Sequence, residues 1–143
     1  MNIAFFLTPK KDVVYLDYSA TMRQALEKME YHTYTAIPLI DKKGRYVGTL
    51  TEGDLLWTMK KEEDITFKDT SKILVKDIPR KRTNKAVSIN SDIQDLIYLA
   101  KNQNFVPVVD DSGVFIGIIT RSDIINYCYD IIYAQNPLKE VVL

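Results

Sequence analysis

Apolar and polar positions follow one order twice along this chain. Residues 13–16 form a short run with strand character. A polar turn follows, then a stretch in which Met22, Ala25, Leu26 and Met29 recur at helical spacing. Next come the apolar run Ala36–Ile40, the turn signal Asp41-Lys42-Lys43-Gly44 and a second apolar run over residues 46–50. A helix then opens at Thr51-Glu52-Gly53-Asp54. The second half has residues 86–89, then Ile93, Leu96, Ile97 and Ala100 at helical spacing, Phe105–Val109, Asp110-Asp111-Ser112-Gly113, residues 114–119, and Thr120-Arg121-Ser122-Asp123. Ser19 or Thr21 is expected to cap the first helix, and Ser91 or Asn90 its counterpart. Each half therefore reads strand, helix, strand, strand, helix, and the fold class is α+β.

The repetition is in register. Residues 38–54 and 107–123 align without a gap, matching Pro38 to Pro107, Asp41 to Asp110, Gly44 to Gly113, Gly48 to Gly117, Thr51 to Thr120 and Asp54 to Asp123. A unit this short cannot bury its apolar face alone, so the halves are expected to pack as a pseudo-symmetric pair. The space between them is the natural place for a ligand. The expected organisation is repeat one over 1–60, a polar connector over 61–85, repeat two over 86–134 and a C-terminal tail over 135–143. The connector has a candidate helical turn near 67–73 and ends in a basic cluster, Arg80-Lys81-Arg82 with Lys85.

Charge and composition narrow the function classes. Nineteen basic residues balance nineteen acidic ones, so no global field attracts nucleic acid or an anionic membrane. No apolar run is long enough to span a bilayer. Residues 1–9 are apolar but lack the basic flank and cleavage site of a signal peptide. A lone cysteine, Cys128, excludes an internal disulfide and a multi-cysteine metal site. A cytoplasmic protein is expected. Catalytic chemistry has little to work with: His32, the only histidine, is expected in a loop, Cys128 falls on an apolar helix, and no phosphate loop, zinc pattern or nucleophile elbow occurs. The chain is not expected to be an enzyme, and no cofactor or metal is expected.

The apolar-Pro-apolar strands Ile37-Pro38-Leu39 and Val106-Pro107-Val108, the Asp-x-x-Gly turns and the endings Gly48-Thr-Leu-Thr51-Glu-Gly-Asp54 and Gly117-Ile-Ile-Thr120-Arg-Ser-Asp123 resemble a tandem pair of cystathionine-beta-synthase (CBS) domains. The resemblance covers roughly residues 1–129. It implies two half-domains meeting along their sheets (a Bateman module), often dimerised, and adenosine ligands such as AMP, ATP or S-adenosylmethionine in the clefts between halves. Residues Tyr34-Thr-Ala-Ile-Pro38, Asp77-Ile-Pro-Arg80 and Phe115-Ile-Gly-Ile-Ile-Thr-Arg121 further resemble stand-alone CBS pairs of Gram-positive bacteria, some of which bind cyclic di-AMP and act on a target enzyme. That resemblance places ligand contacts at Asp12, Val13 and Val14, at Thr35, Ala36, Ile37 and Pro38, and at Thr120, Arg121 and Ser122. Those relatives tend to carry two adjacent basic residues where this chain has Arg121-Ser122, which favours a mononucleotide over a doubly charged cyclic dinucleotide.

Each candidate group also has a plain structural use. Thr51 and Asp54, like Thr120 and Asp123, have the spacing of a helix cap. The same groups suit a nucleotide, since a carboxylate accepts from ribose hydroxyls and a helix start offers amides to phosphate. Pro38 and Pro107 mark an interrupted or edge strand, or with Val106 an apolar wall for adenine. Arg121 is expected to meet phosphate, and Glu52, its counterpart, to repel it. Arg80-Lys81-Arg82 reads either as a solvated connector or as a phosphate arm reaching the cleft. Tyr127, Tyr129, Ile131, Ile132 and Tyr133 suggest a dimer surface. The expected function is a homodimeric sensor that binds an adenine nucleotide and relays occupancy to a partner protein. The alternatives are a cyclic di-AMP receptor and a ligand-free dimerisation scaffold.

Overall fold

The computed structural model describes residues 2–134. Two sheets form. One runs β2–β3–β4, with β2 at Leu16–Asp17, β3 at Ala36–Ile40 and β4 at Tyr46–Thr51. The other runs β1–β7–β6–β5, with β1 at Thr8–Pro9, β5 at Val87–Ser88, β6 at Phe105–Val109 and β7 at Phe115–Thr120. Helices α1 (Met22–His32) and α2 (Glu52–Lys61) belong to the first repeat, α3 (Ile93–Ala100) and α4 (Arg121–Tyr133) to the second.

Local chemistry sets the element ends. Thr21 caps α1 reciprocally with Gln24, at 3.1 and 2.9 Å. Ser19 instead bonds Asp17. In the second half the cap is Asp92, paired with Asp95, rather than Ser91 or Asn90. The hairpins turn where expected. Asp41 Oδ1 accepts the amides of Lys43 and Arg45, and Asp110 Oδ1 those of Ser112 and Val114. Gly44 and Gly113 follow with φ of +79° and +80°, a region that disfavours a side chain. His32 lies on the last turn of α1 rather than in a loop, and its ring stacks on Tyr34 at 5.2 Å. The helical turn in the connector is a short 3₁₀ segment, Phe67–Ser71.

Pro38 and Pro107 sit in interior strands, not at sheet edges. Both are tolerated because the flanking parallel pairings start one residue later, at Leu16 with Leu39 and at Val87 with Val108. On their other sides these prolines face Thr49 and Ile118.

The core is divided in two, and the leading segments are exchanged between the parts. Met22, Ile37, Leu39 and Leu50 fill the first core together with Val75 and Ile78, which precede β5 in sequence. Leu96, Val106, Val108 and Ile119 fill the second together with Ile3, at the start of the chain. Strand β1 pairs antiparallel with β7, Thr8 opposite Ile118 and Pro9 opposite Gly117. Residues 3–9 thus precede β2 in sequence and pack with the second repeat. The connector does the reverse: the Ile73 carbonyl accepts from Met22 N–H and the Val75 N–H donates to Ala20.

Along α4, Ile125, Tyr129, Ile131 and Ile132 are exposed, while Ile124 is buried and Cys128 packs against the second core. Among the described residues no helix is long and apolar enough to cross a membrane. The tail over 135–143 lies outside the described residues.

Tyr46 ties β4 to the connector. Its hydroxyl donates to the Asn84 carbonyl at 2.7 Å, so the 2.7 Å contact with Thr49 has the threonine as donor. Burial pushes the Tyr46 hydroxyl up from 10.0 to about 12. The folded state therefore holds this proton more tightly than the unfolded chain. Its contribution is complete below pH 10 and is lost as pH rises from 10 through 12, at roughly 1 kcal/mol per pH unit. Urea unfolding between pH 9 and 12 should show this loss in the natural protein. Tyr46→Phe should lack that component and be less stable at neutral pH by about 1 kcal/mol.

Candidate functional site

The two places where a strand hands over to a helix lie against each other. In the first repeat Ala36 pairs with Thr51, and the Glu52 N–H donates to the Thr35 carbonyl at 2.9 Å. In the second Phe105 pairs with Thr120, and the Arg121 N–H donates to the Asn104 carbonyl at 2.9 Å. Thr35 and Asn104 occupy matching positions, and the Asn104 side-chain amide donates to Thr35 Oγ1 at 3.2 Å across the junction. The hairpins add a second junction. The Phe115 N–H donates to the Gly44 carbonyl at 2.8 Å, and the matching rings of Tyr46 and Phe115 stack with centroids 6.4 Å apart.

The two handovers look alike in sequence and differ in bonding. Thr51 Oγ1 accepts the Asp54 N–H, and Asp54 Oδ2 accepts the Thr51 N–H at 2.9 Å, a complete capping box. Asp54 Oδ1 takes a further amide, that of Lys81 in the connector, at 3.2 Å. The carboxylate is only 4% exposed. Thr120 Oγ1 likewise accepts the Asp123 N–H at 3.1 Å. Among the described residues, however, the Asp123 carboxylate makes no hydrogen bond, and it is half-buried. Capping is therefore the main local work of Asp54, whereas Asp123 keeps its acceptors open.

Arg121, expected to meet phosphate, is anchored through one nitrogen to its own repeat. Its Nε donates to the carbonyls of Ala100 at 2.8 Å and Gln103 at 3.1 Å, at the C-terminal end of α3. A cation there satisfies orphan carbonyls and complements the helix dipole. Glu52, its counterpart, is exposed beside two cations. A cleft of about 580 Å³ opens there, lined by Thr35, Ala36, the Thr51–Asp54 turn with Trp57 beside it, and Lys81, Arg82 and Asn104. The Lys81 ammonium lies 5.6 Å from the centre of the Trp57 ring.

Of the residues singled out in the sequence, this cleft gathers Thr35, Ala36, Thr51 and Asp54. Ile37 and Val106 are fully buried in the two cores, and Pro38 and Pro107 are buried beside them. Asp12 ends an exposed turn packed against β7, and Val14 lies against the first core. Ser122 is exposed on the first turn of α4, at the second handover. Trp57 and Asn104 were not predicted, and of the two readings of the basic run Lys81 and Arg82 follow the one that reaches the cleft. The basic run was visible in the sequence, but a connector without periodicity gives no direction to its side chains.

This arrangement of repeats has relatives. The CBS domain family matches twice, over residues 6–61 and 75–130. The chain belongs to the CBS domain family. It is a tandem CBS pair, as the paired Pro strands and Thr-x-x-Asp endings imply. The pair is 32% identical over 120 residues to inosine-5'-monophosphate dehydrogenase of Methanocaldococcus jannaschii, covering 80% of this chain and 21% of that enzyme. It therefore spans about a fifth of the enzyme's length. Among solved structures the CBS pair is similar to CBSX2 in complex with AMP, at a TM-score of 0.71 and 26% identity, covering 91% of this chain and 97% of that one. It also shares its fold with the Listeria monocytogenes CbpB protein in complex with c-di-AMP, at a TM-score of 0.79 and 20% identity, covering 94% of this chain and all of the other.

Proposed function

We propose that this CBS pair is a non-catalytic sensor that binds an adenine nucleotide of the AMP or ATP class between its repeats. The observation that carries the reading is the cleft in which the Thr51–Asp54 handover of one repeat faces Lys81 and Arg82 of the connector and Asn104 of the other repeat. Its volume of about 580 Å³ is within the ordinary range for small-molecule sites. Lys81 and Arg82 form the phosphate pole. Glu52, exposed at the rim, accepts from the ribose hydroxyls, and Ala36 and the Trp57 ring offer apolar surface to the base. The similar CBSX2, solved with AMP, supports a mononucleotide. At the second handover, with Asp12, Val13 and Val14 before it, the unbonded Asp123 carboxylate suits a second ribose.

Relay follows from the connector. Its Lys81 amide is bonded to Asp54, and its Ile73–Val75 segment is bonded to the start of α1. A ligand between these elements shifts the population of connector arrangements by its differential affinity for them. In this reading the pair works as a homodimer in the cytoplasm and passes occupancy to a protein partner.

Trp57 is the only tryptophan and lines the cleft, so its fluorescence reports binding there directly. Titration with AMP, ATP and c-di-AMP, followed by fluorescence and calorimetry, should show saturable binding of a mononucleotide. Arg82→Glu should weaken it at least tenfold. An unchanged affinity in that variant would remove the phosphate assignment. Preferential binding of c-di-AMP would make the protein a cyclic dinucleotide receptor instead, and no heat from any of the three would leave a scaffold.

A further inference from the structure

The connector walls a second cavity, lying against β4 rather than at the handover. Its volume is about 640 Å³. Lys76, Arg80, Arg82 and Lys85 line it, together with the Tyr46–Thr49 stretch of β4 and Tyr18, and no acidic residue does. Four cations thus surround one cavity on a chain with no net charge. None of the four has a carboxylate partner among the described residues, where the ion pair is Arg23 with Glu27. Arg80 is positioned rather than free. Its guanidinium lies over Gly48, 5.8 Å from the centre of the Tyr18 ring and 3.5 Å from the Val47 carbonyl. The connector's backbone is fixed at its C-terminal end, by Tyr46 at Asn84 and by the buried Gln103 amide bonded to both the N–H and the carbonyl of Lys85 at 3.0 Å.

We infer that this cavity is an anion site for a chain of two or three phosphates. A cleft lined by one sign of charge raises the local concentration of an anionic ligand. Four cations spread over this volume match several linked phosphates better than a single one, and guanidinium groups bind phosphate oxygens in pairs. Thr83 and Asn84 add hydrogen-bonding groups to the wall. The site is separate from the adenosine cleft, but Arg82 lines both. Occupants of the two cavities therefore draw on one guanidinium. The phosphate chain is either a free polyphosphate or the tail of a nucleotide whose base lies elsewhere.

The test uses Lys76→Glu/Lys85→Glu. Both side chains are exposed and neither lines the Thr51–Asp54 cleft. Calorimetry with tripolyphosphate at physiological salt should show saturable binding to the natural protein and at least a tenfold loss in the variant. AMP binding read by Trp57 should stay unchanged, which separates this site from the proposed function. A parallel ATP titration distinguishes the sources: a tenfold loss of ATP affinity in the variant identifies a nucleotide tail, and an unchanged one a free polyphosphate. A matched Lys76→Gln/Lys85→Gln protein, checked for an unaltered melting temperature, should show an intermediate loss. Absence of tripolyphosphate binding to the natural protein, or equal affinity in all three proteins, would overturn the assignment.

Discussion

Asp54→Ala is expected to lower folding stability by about 3 kcal/mol, the loss of two charge-assisted bonds to backbone amides with those donors left behind. Asp123→Ala, at the matching position, should cost less than about 1 kcal/mol, since removing a side chain without partners leaves nothing unsatisfied. The difference follows from bonding alone. Asp54 holds the amides of Thr51 and Lys81 and is 4% exposed. Asp123 is half-buried, its carboxylate holds no amide among the described residues, and its helix is capped through Thr120. Urea unfolding of both variants, with unchanged slopes, measures the two losses on one scale. Equal losses would show that the Asp54 bonds do not carry the difference. Asp54→Ala should also release the connector, seen as faster hydrogen exchange at the Lys81 amide.

The glycines at matching positions give a second unequal pair. Gly117→Ala is expected to cost about 3 kcal/mol, at the upper end of overpacking penalties, because the new methyl would overlap a backbone atom. That atom is the carbonyl oxygen of Thr8, with the Thr8 carbonyl carbon 3.1 Å away, and β1 can yield only by leaving β7. At Gly48 the same methyl meets the end of the Arg80 side chain, at 2.8 to 3.1 Å, which can swing aside. Gly48→Ala should therefore cost less, about 2 kcal/mol, mostly the strain of a side chain at the φ of +156° that both glycines share. Limited proteolysis reads the mechanism: Gly117→Ala should expose residues 3–9 to cleavage, and Gly48→Ala should not. Protection of that segment in both variants would show that β1 adjusts in place.

These contrasts mark how far the sequence could be read. The repeated strand order, both Asp-led turns and the Thr-x-x-Asp caps depend on neighbours within four residues, and such local chemistry is legible. The Asp92 cap was missed because Ser91 and Asn90 stand beside it with equal claims as side-chain acceptors. The bonds of Arg121 to Ala100 and Gln103 join residues 18 and 21 positions apart in sequence, and no local pattern announces them. The basic run of the connector was visible as charge, but its division between two cavities depends on how the backbone crosses β4. Ile3, Phe6 and Leu7 are too few to show a period, so nothing in the sequence said which core they complete.

The exchange of leading segments also bears on how such a molecule can arise. A half-length chain with one repeat and its leading segment would have an open edge beside β7 and a surplus strand that fits it. Two copies trading those strands would make a domain-swapped dimer, each supplying the β1 that pairs with the other's open edge. Joining the copies through the connector turns that encounter into an intramolecular one, at an effective concentration set by the linker. The partner is then always present, and duplicated positions such as 54 and 123 are free to diverge.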